Sequence, residues 1–97
     1  MGQLRWTQEA ATWLEDIHGY VARDDPAAAQ RVVKGIDDKA QLLRDFPRLG
    51  YHYRAEPEGE IRVLRYGHYK IAYLLRRDDI VETLGVFHGA LDIDRYL

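Results

Sequence analysis

The chain has no cysteine, which excludes disulfide-stapled mini-proteins, cysteine-ligated zinc modules and iron–sulfur clusters. It also lacks any apolar run near the roughly 18 residues a membrane helix needs, and Met1-Gly2-Gln3-Leu4-Arg5-Trp6 holds no run of signal-peptide length. A cytoplasmic protein with no membrane role is the expectation. There is no excess of positive charge either: 14 Lys+Arg stand against 16 Asp+Glu, with a pI near 6.0. A nucleic-acid role therefore has to rest on a local patch. The four histidines at 18, 52, 68 and 88 show no HxxxH or HExxH spacing, and no GxGxxG, P-loop or GxSxG element occurs. No metal site and no cofactor are assigned.

What is present is ordinary globular composition, 46% hydrophobic and 31% charged over 97 residues, the size of one domain spanning residues 1–97. Gln3-Leu4-Arg5-Trp6 alternates like a short strand, and Thr7 offers an N-cap. From Glu9 to about Arg23, Ala10, Trp13, Leu14, Ile17, Tyr20 and Val21 recur at helical spacing. Asp25-Pro26 restarts a second helix running to about Phe46, with Ala29, Val32, Val33, Ile36, Ala40, Leu43 and Phe46 on its inner face. After Pro47 and Gly50 the vocabulary turns to strands: Tyr51–Arg54, Glu60–Tyr66, Tyr69–Arg76 and Ile80–Phe87, with reversals at 56–59, Gly67 and 77–79. The tail from Leu91 to Leu97 is either a last helical turn or an extended arm. The order predicts an α+β domain: an N-terminal strand and a helical hairpin packed on an antiparallel sheet.

Charge is uneven in the second half. Arg62, Arg65, Lys70, Arg76 and Arg77 fall between residues 61 and 77 with no acid among them, interleaved with Tyr66, His68, Tyr69 and Tyr73. Such a stretch either contacts phosphates and stacks on bases, or forms the wet face of a strand. Strand alternation puts Tyr69, Ile71, Tyr73 and Leu75 on one side and Lys70, Ala72, Leu74 and Arg76 on the other. Lys70 thus either rests its stem on Ala72 and Leu74 or faces a ligand phosphate. His88, followed by Gly89 past the last strand, is placed either as a general acid or base or to satisfy a backbone carbonyl.

In order along the chain stand Ala10-xx-Trp13-Leu14-xx-Ile17-xx-Tyr20, Pro26-Ala27-Ala28-Ala29, Phe46-Pro47-Arg48-Leu49-Gly50, Ile61-Arg62-Val63-Leu64, Tyr69-Lys70-Ile71-Ala72-Tyr73 and Val86-Phe87-His88-Gly89. In these pieces, from Trp6 to Leu97, the chain resembles the RelE/ParE superfamily of type II toxins, the plasmid-stabilisation proteins. The resemblance implies the same fold and a partner, a cognate antitoxin whose acidic segment folds onto the toxin as a hetero-oligomer. Two activities follow from it. In the RelE-like branch, which cuts messenger RNA in the ribosome with the RNA's own 2′-hydroxyl as nucleophile, Lys70 would stabilise the phosphorane, His88 would move the proton, and Arg62 and Arg65 would hold the backbone. Tyr69, Arg76 and Arg77 complete the candidate surface for target or nucleic acid. The ParE-like branch is no enzyme and inhibits growth by poisoning DNA gyrase through protein contact. Ile61 and Val63 stand where RelE carries paired lysines, and the pI is slightly acidic, which favours the ParE-like branch; against it, Leu91 replaces the arginine of the usual His-Gly-x-Arg-Asp ending. A third possibility is an inactive member that only binds its antitoxin.

Overall fold

In a computed structural model, described here over residues 2–97, two helices cover one face of a five-stranded sheet. Strand β1 (Gln3–Trp6) leads into helix α1 (Gln8–Ala22), then α2 (Pro26–Gln41) with a 3₁₀ turn at Leu42–Arg44. Strands β2 (Tyr51–Glu56), β3 (Gly59–Tyr66), β4 (Tyr69–Arg76) and β5 (Ile80–His88) follow, and a 3₁₀ turn at Ile93–Arg95 ends the chain. The sheet order is β1-β5-β4-β3-β2. The last four strands are antiparallel as expected, and β1 joins β5 in parallel.

Local chemistry sets the element ends. The Thr7 hydroxyl accepts the Ala10 N–H at 3.1 Å and donates to the Thr83 carbonyl at 2.6 Å, so one side chain caps α1 and ties it to β5. Asp25 accepts the Ala28 N–H at 3.0 Å, with Pro26 at the first helical position. The second helix stops short of Phe46, because Pro47 disfavours helical backbone at the residue before it and the chain tightens to 3₁₀ at Leu42–Arg44.

Between sheet and helices lie Ile36 and Ala40 of α2 and Leu43 of the 3₁₀ turn with Leu64, Ile71, Tyr73, Leu75, Val81 and Val86. The alternation expected for β4 holds, but its other side is not wet. Val63, Ala72 and Phe87 pack there beneath Ile93, Tyr53 and Leu97, so the C-terminal segment folds back as a cover. Trp13 reaches both clusters, with its ring 4.7 Å from that of Phe87 and 5.1 Å from that of Tyr96. The tail is thus a helical turn packed on the sheet, and Tyr96 packs rather than projecting freely.

A cationic cleft at one end of the sheet

The β3–β4 reversal is a two-residue loop, Gly67-His68, closed by the Tyr66–Tyr69 pair. Gly67 sits at φ +56, the left-handed conformation that a two-residue hairpin loop with glycine first requires. This turn presents His68 at the sheet's end. Register then places Arg65 opposite Lys70, and Tyr69 opposite His88 on the neighbouring strand. The Gly89 N–H donates to the His68 carbonyl at 2.6 Å, fastening the turn to the end of β5.

The result is an open cleft of about 350 Å³ lined by Arg65, His68, Tyr69, Lys70 and His88, with the backbone of Gly67, Gly89 and Ala90. The two imidazoles lie nearly parallel, 6.4 Å apart at 22°, and Tyr69 meets His88 edge-on at 5.9 Å. The Ala90 N–H donates to His88 Nδ1 at 3.2 Å. That bond requires a bare Nδ1, so the proton of neutral His88 is on Nε2, the nitrogen left to face a ligand. In this geometry His88 is a donor. Among the described residues neither Arg65 nor Lys70 has an ion-pair partner. The cleft therefore offers two cationic side chains and an N–H donor, a set suited to an anion. No group of three or more His, Cys, Asp or Glu able to hold a metal occurs among the described residues, and no helix there is long and apolar enough to cross a membrane.

The remaining candidates are elsewhere. Arg62 lies inward: its Nε donates to the Gly50 carbonyl at 2.8 Å, Nη2 to the Arg48 carbonyl at 3.2 Å and Nη1 to Glu60 at 2.7 Å. The structure thus commits it to protein partners rather than to a ligand backbone. Arg76 is bonded twice to Asp78 at 3.1 Å and lies 3.6 Å from Glu82, which holds the guanidinium firmly in its charged form. It stands six residues along β4 from Lys70, roughly 20 Å away at the strand rise, with exposed Arg77 beside it. The seven candidates thus split, with Arg65, Tyr69, Lys70 and His88 together and Arg62, Arg76 and Arg77 apart. Missed in the sequence were His68 as a cleft partner and the acids that neutralise the basic run from just outside it. Glu60 and Asp78 are each two residues from the arginine they bind, Glu60 on the same side of strand β3 as Arg62 and Asp78 in the turn just past Arg76, and that spacing was a usable signal.

Glu60 also accepts a hydrogen bond from His52 Nδ1 at 2.7 Å. The His52 and Arg62 bonds hold its carboxyl below the usual range. A lowered folded-state pKa contributes stability that is fully present above the unfolded value and lost as pH falls. Glu60→Gln is accordingly expected to flatten the loss of stability below pH 4.5, measured as melting temperature against pH. An unchanged acid limb would show that this carboxylate is not linked to folding.

The model of the family described as "ParE toxin of type II toxin-antitoxin system, parDE" matches residues 4–93. The chain belongs to the ParE toxin family. A relative from Sinorhizobium fredii, named "Putative toxin Y4kP", is 38% identical over 87 residues, covering 90% of this chain and 88% of that protein. Among solved structures, the chromosomal ParDE system from P. aeruginosa superposes with a TM-score of 0.70 at 23% identity, covering 91% of this ParE-family chain and 96% of the other. The toxin–antitoxin complex RelBE2 from Mycobacterium tuberculosis follows with a TM-score of 0.66 at 24% identity, over 90% and 96%. Both likenesses bear out the fold, a helical pair on a five-stranded sheet.

Proposed function

We propose that this ParE-family chain is the toxin of a type II pair, that it arrests growth by poisoning DNA gyrase through protein contact, and that a cognate antitoxin neutralises it. The observation that carries the choice of target is the scatter of the cations. A ribosome-dependent nuclease needs its positive groups gathered around one phosphate. Here Arg62 is turned into the protein, Arg76 is neutralised, and Ile61 and Val63, at the positions of the paired lysines, are core residues at 4% and 0% exposure. Those two positions have no room for a solvated charge. The family match supports the same branch, and the antitoxin partner draws support from the two superposed structures, both toxin–antitoxin systems.

One observation favours the RelE-like reading, the convergence of Lys70, Arg65 and His88 in one cleft. Inducing the chain without antitoxin separates the two. The expected result is a DNA-damage response with intact messages, and Lys70→Ala and His88→Ala are expected to retain growth arrest within about twofold of wild type, whereas loss of one acid–base group in a nuclease costs about 10²–10⁴-fold. Rapid ribosome-dependent cleavage of messages, abolished by either substitution, would overturn the gyrase reading. No arrest at all would contradict the toxin reading and match the inactive, antitoxin-binding member.

A further inference from the structure

The cleft holds a feature that neither target explains. Two histidines, His68 in the β3–β4 turn and His88 at the end of β5, bring nearly parallel rings within 6.4 Å of each other, and they share the cleft with two cations that have no acidic partner among the described residues. The titratable groups that line the cleft with His68 are Arg65 on β3, Tyr69 and Lys70 on β4 and His88 on β5, and no carboxylate lines it. The next acid along the chain, Asp92, accepts the Asp94 N–H and lies 3.9 Å from Arg95. His68 itself is exposed, and its ring has no hydrogen-bond partner among the described residues.

We propose that this cleft is a proton-linked anion site that seats a carboxylate from an acidic segment of the antitoxin, with His88 as the fixed N–H donor and His68 as the group that takes up a proton when the segment binds. The inference rests on the antitoxin reading given above. A carboxylate seated beside Arg65 and Lys70 offsets their charge and favours the charged form of the imidazole facing it. His88 contributes differently: its Nδ1 accepts the Ala90 N–H, which leaves Nε2 to donate to the carboxylate. Binding that carries a proton onto His68 therefore strengthens as pH falls through the range in which histidines change charge. The cleft fits one or two carboxylates better than a nucleic-acid strand. A strand needs a track of cations, whereas beyond this cleft Arg62 and Arg76 are already occupied and the whole chain carries a net charge of −2.

The test uses the full chain and three probes at constant ionic strength: a hepta-glutamate peptide, an oligouridylate of equal charge, and inorganic phosphate. Affinity and the two histidine ring resonances are followed by NMR between about pH 5.5 and 8, a range in which glutamates remain ionised. Expected is peptide binding that moves both ring resonances and is about tenfold tighter at the acid end, the change produced by a one-unit shift in one group. His68→Gln should make the affinity independent of pH. His88→Gln should weaken binding at every pH and keep its slope. Peptide affinity that does not vary with pH, or a slope that survives His68→Gln, would overturn the proposal. Tighter binding of oligouridylate would reassign the cleft to RNA, and phosphate binding as strong as peptide binding would reduce it to a simple ion site; both outcomes also overturn it. Growth arrest by the chain induced alone reports on the toxin reading separately, so failure of one is not failure of the other.

Discussion

Phe87→Ala is expected to destabilise the protein by about 3–5 kcal/mol, the range for removing a large aromatic from a core that cannot collapse around the gap. Phe87 is 1% exposed. It touches Trp13 edge-on at 4.7 Å and stacks on Tyr96 at 5.5 Å, so the C-terminal cover, helix α1 and the sheet meet on one ring. Its own strand makes room for it. Gly85 lies beneath the ring, and a Cβ there would collide with Phe87. Measured by urea denaturation, the loss is a large part of the 5–15 kcal/mol typical of a small domain. Tyr96→Ala, at a residue 49% exposed, serves as the graded control. It is expected to cost about 1–2 kcal/mol, the buried half of a Phe-sized side chain. If Phe87→Ala cost no more than Tyr96→Ala, the far face of the sheet would not be a true core.

The second large effect is expected at Arg62, and it changes how toxicity data are to be interpreted. Its guanidinium joins the Arg48 and Gly50 carbonyls to Glu60 while its side chain is only 15% exposed. Tyr73 secures the same loop from within: its hydroxyl donates to the Pro47 carbonyl at 2.7 Å and accepts the Gly50 N–H at 3.0 Å. Burial holds that phenol's pKa above its ordinary value, so it stays protonated. Removing Arg62 deprives two carbonyls of this donor and leaves the Glu60 carboxylate with His52 alone. Each such group costs about 1–3 kcal/mol where water cannot replace the donor. Because the site is near the surface and alanine admits some water, the expected total for Arg62→Ala is about 2–4 kcal/mol. Arg65→Ala, at an exposed residue without an ion-pair partner among those described, is expected to stay within about 0.5 kcal/mol of wild type. Equal losses in the two variants would show that Arg62 does not hold the 46–50 loop. Loss of toxicity in Arg62→Ala with this destabilisation reports on folding, not on target contact.

Much of the fold was legible because its signals are local. Strand β4 was bounded at Tyr69 and Arg76 by Gly67 and by the charged run 77–79, and both helix starts were read from Thr7 and Asp25-Pro26. The end of α2 was overextended because Phe46 continues the apolar period while Pro47 acts one residue earlier. The covered far face was invisible for a different reason. Ala72 read as part of the second face of an alternating strand, and only non-local contacts, from Trp13, Tyr53, Ile93 and Leu97, cover it and Phe87. The site divides along the same line. Lys70 and His88 were legible as chemistry, but their company depended on the register that sets Tyr69 against His88. Arg62 was legible as structural only through Glu60 two residues away, since its other two partners are backbone carbonyls, which have no residue type.

The choice between branches is most directly tested with purified components: the full chain is incubated with DNA gyrase, ATP and supercoiled plasmid, and cleaved DNA is counted after denaturing the enzyme. Dose-dependent accumulation of gyrase-linked breaks, undiminished by Lys70→Ala or His88→Ala, is the expected result. Gyrase turnover unaffected by a chain that arrests growth, together with message cleavage on ribosomes that disappears with His88→Ala, would contradict it and make the cleft a nuclease centre.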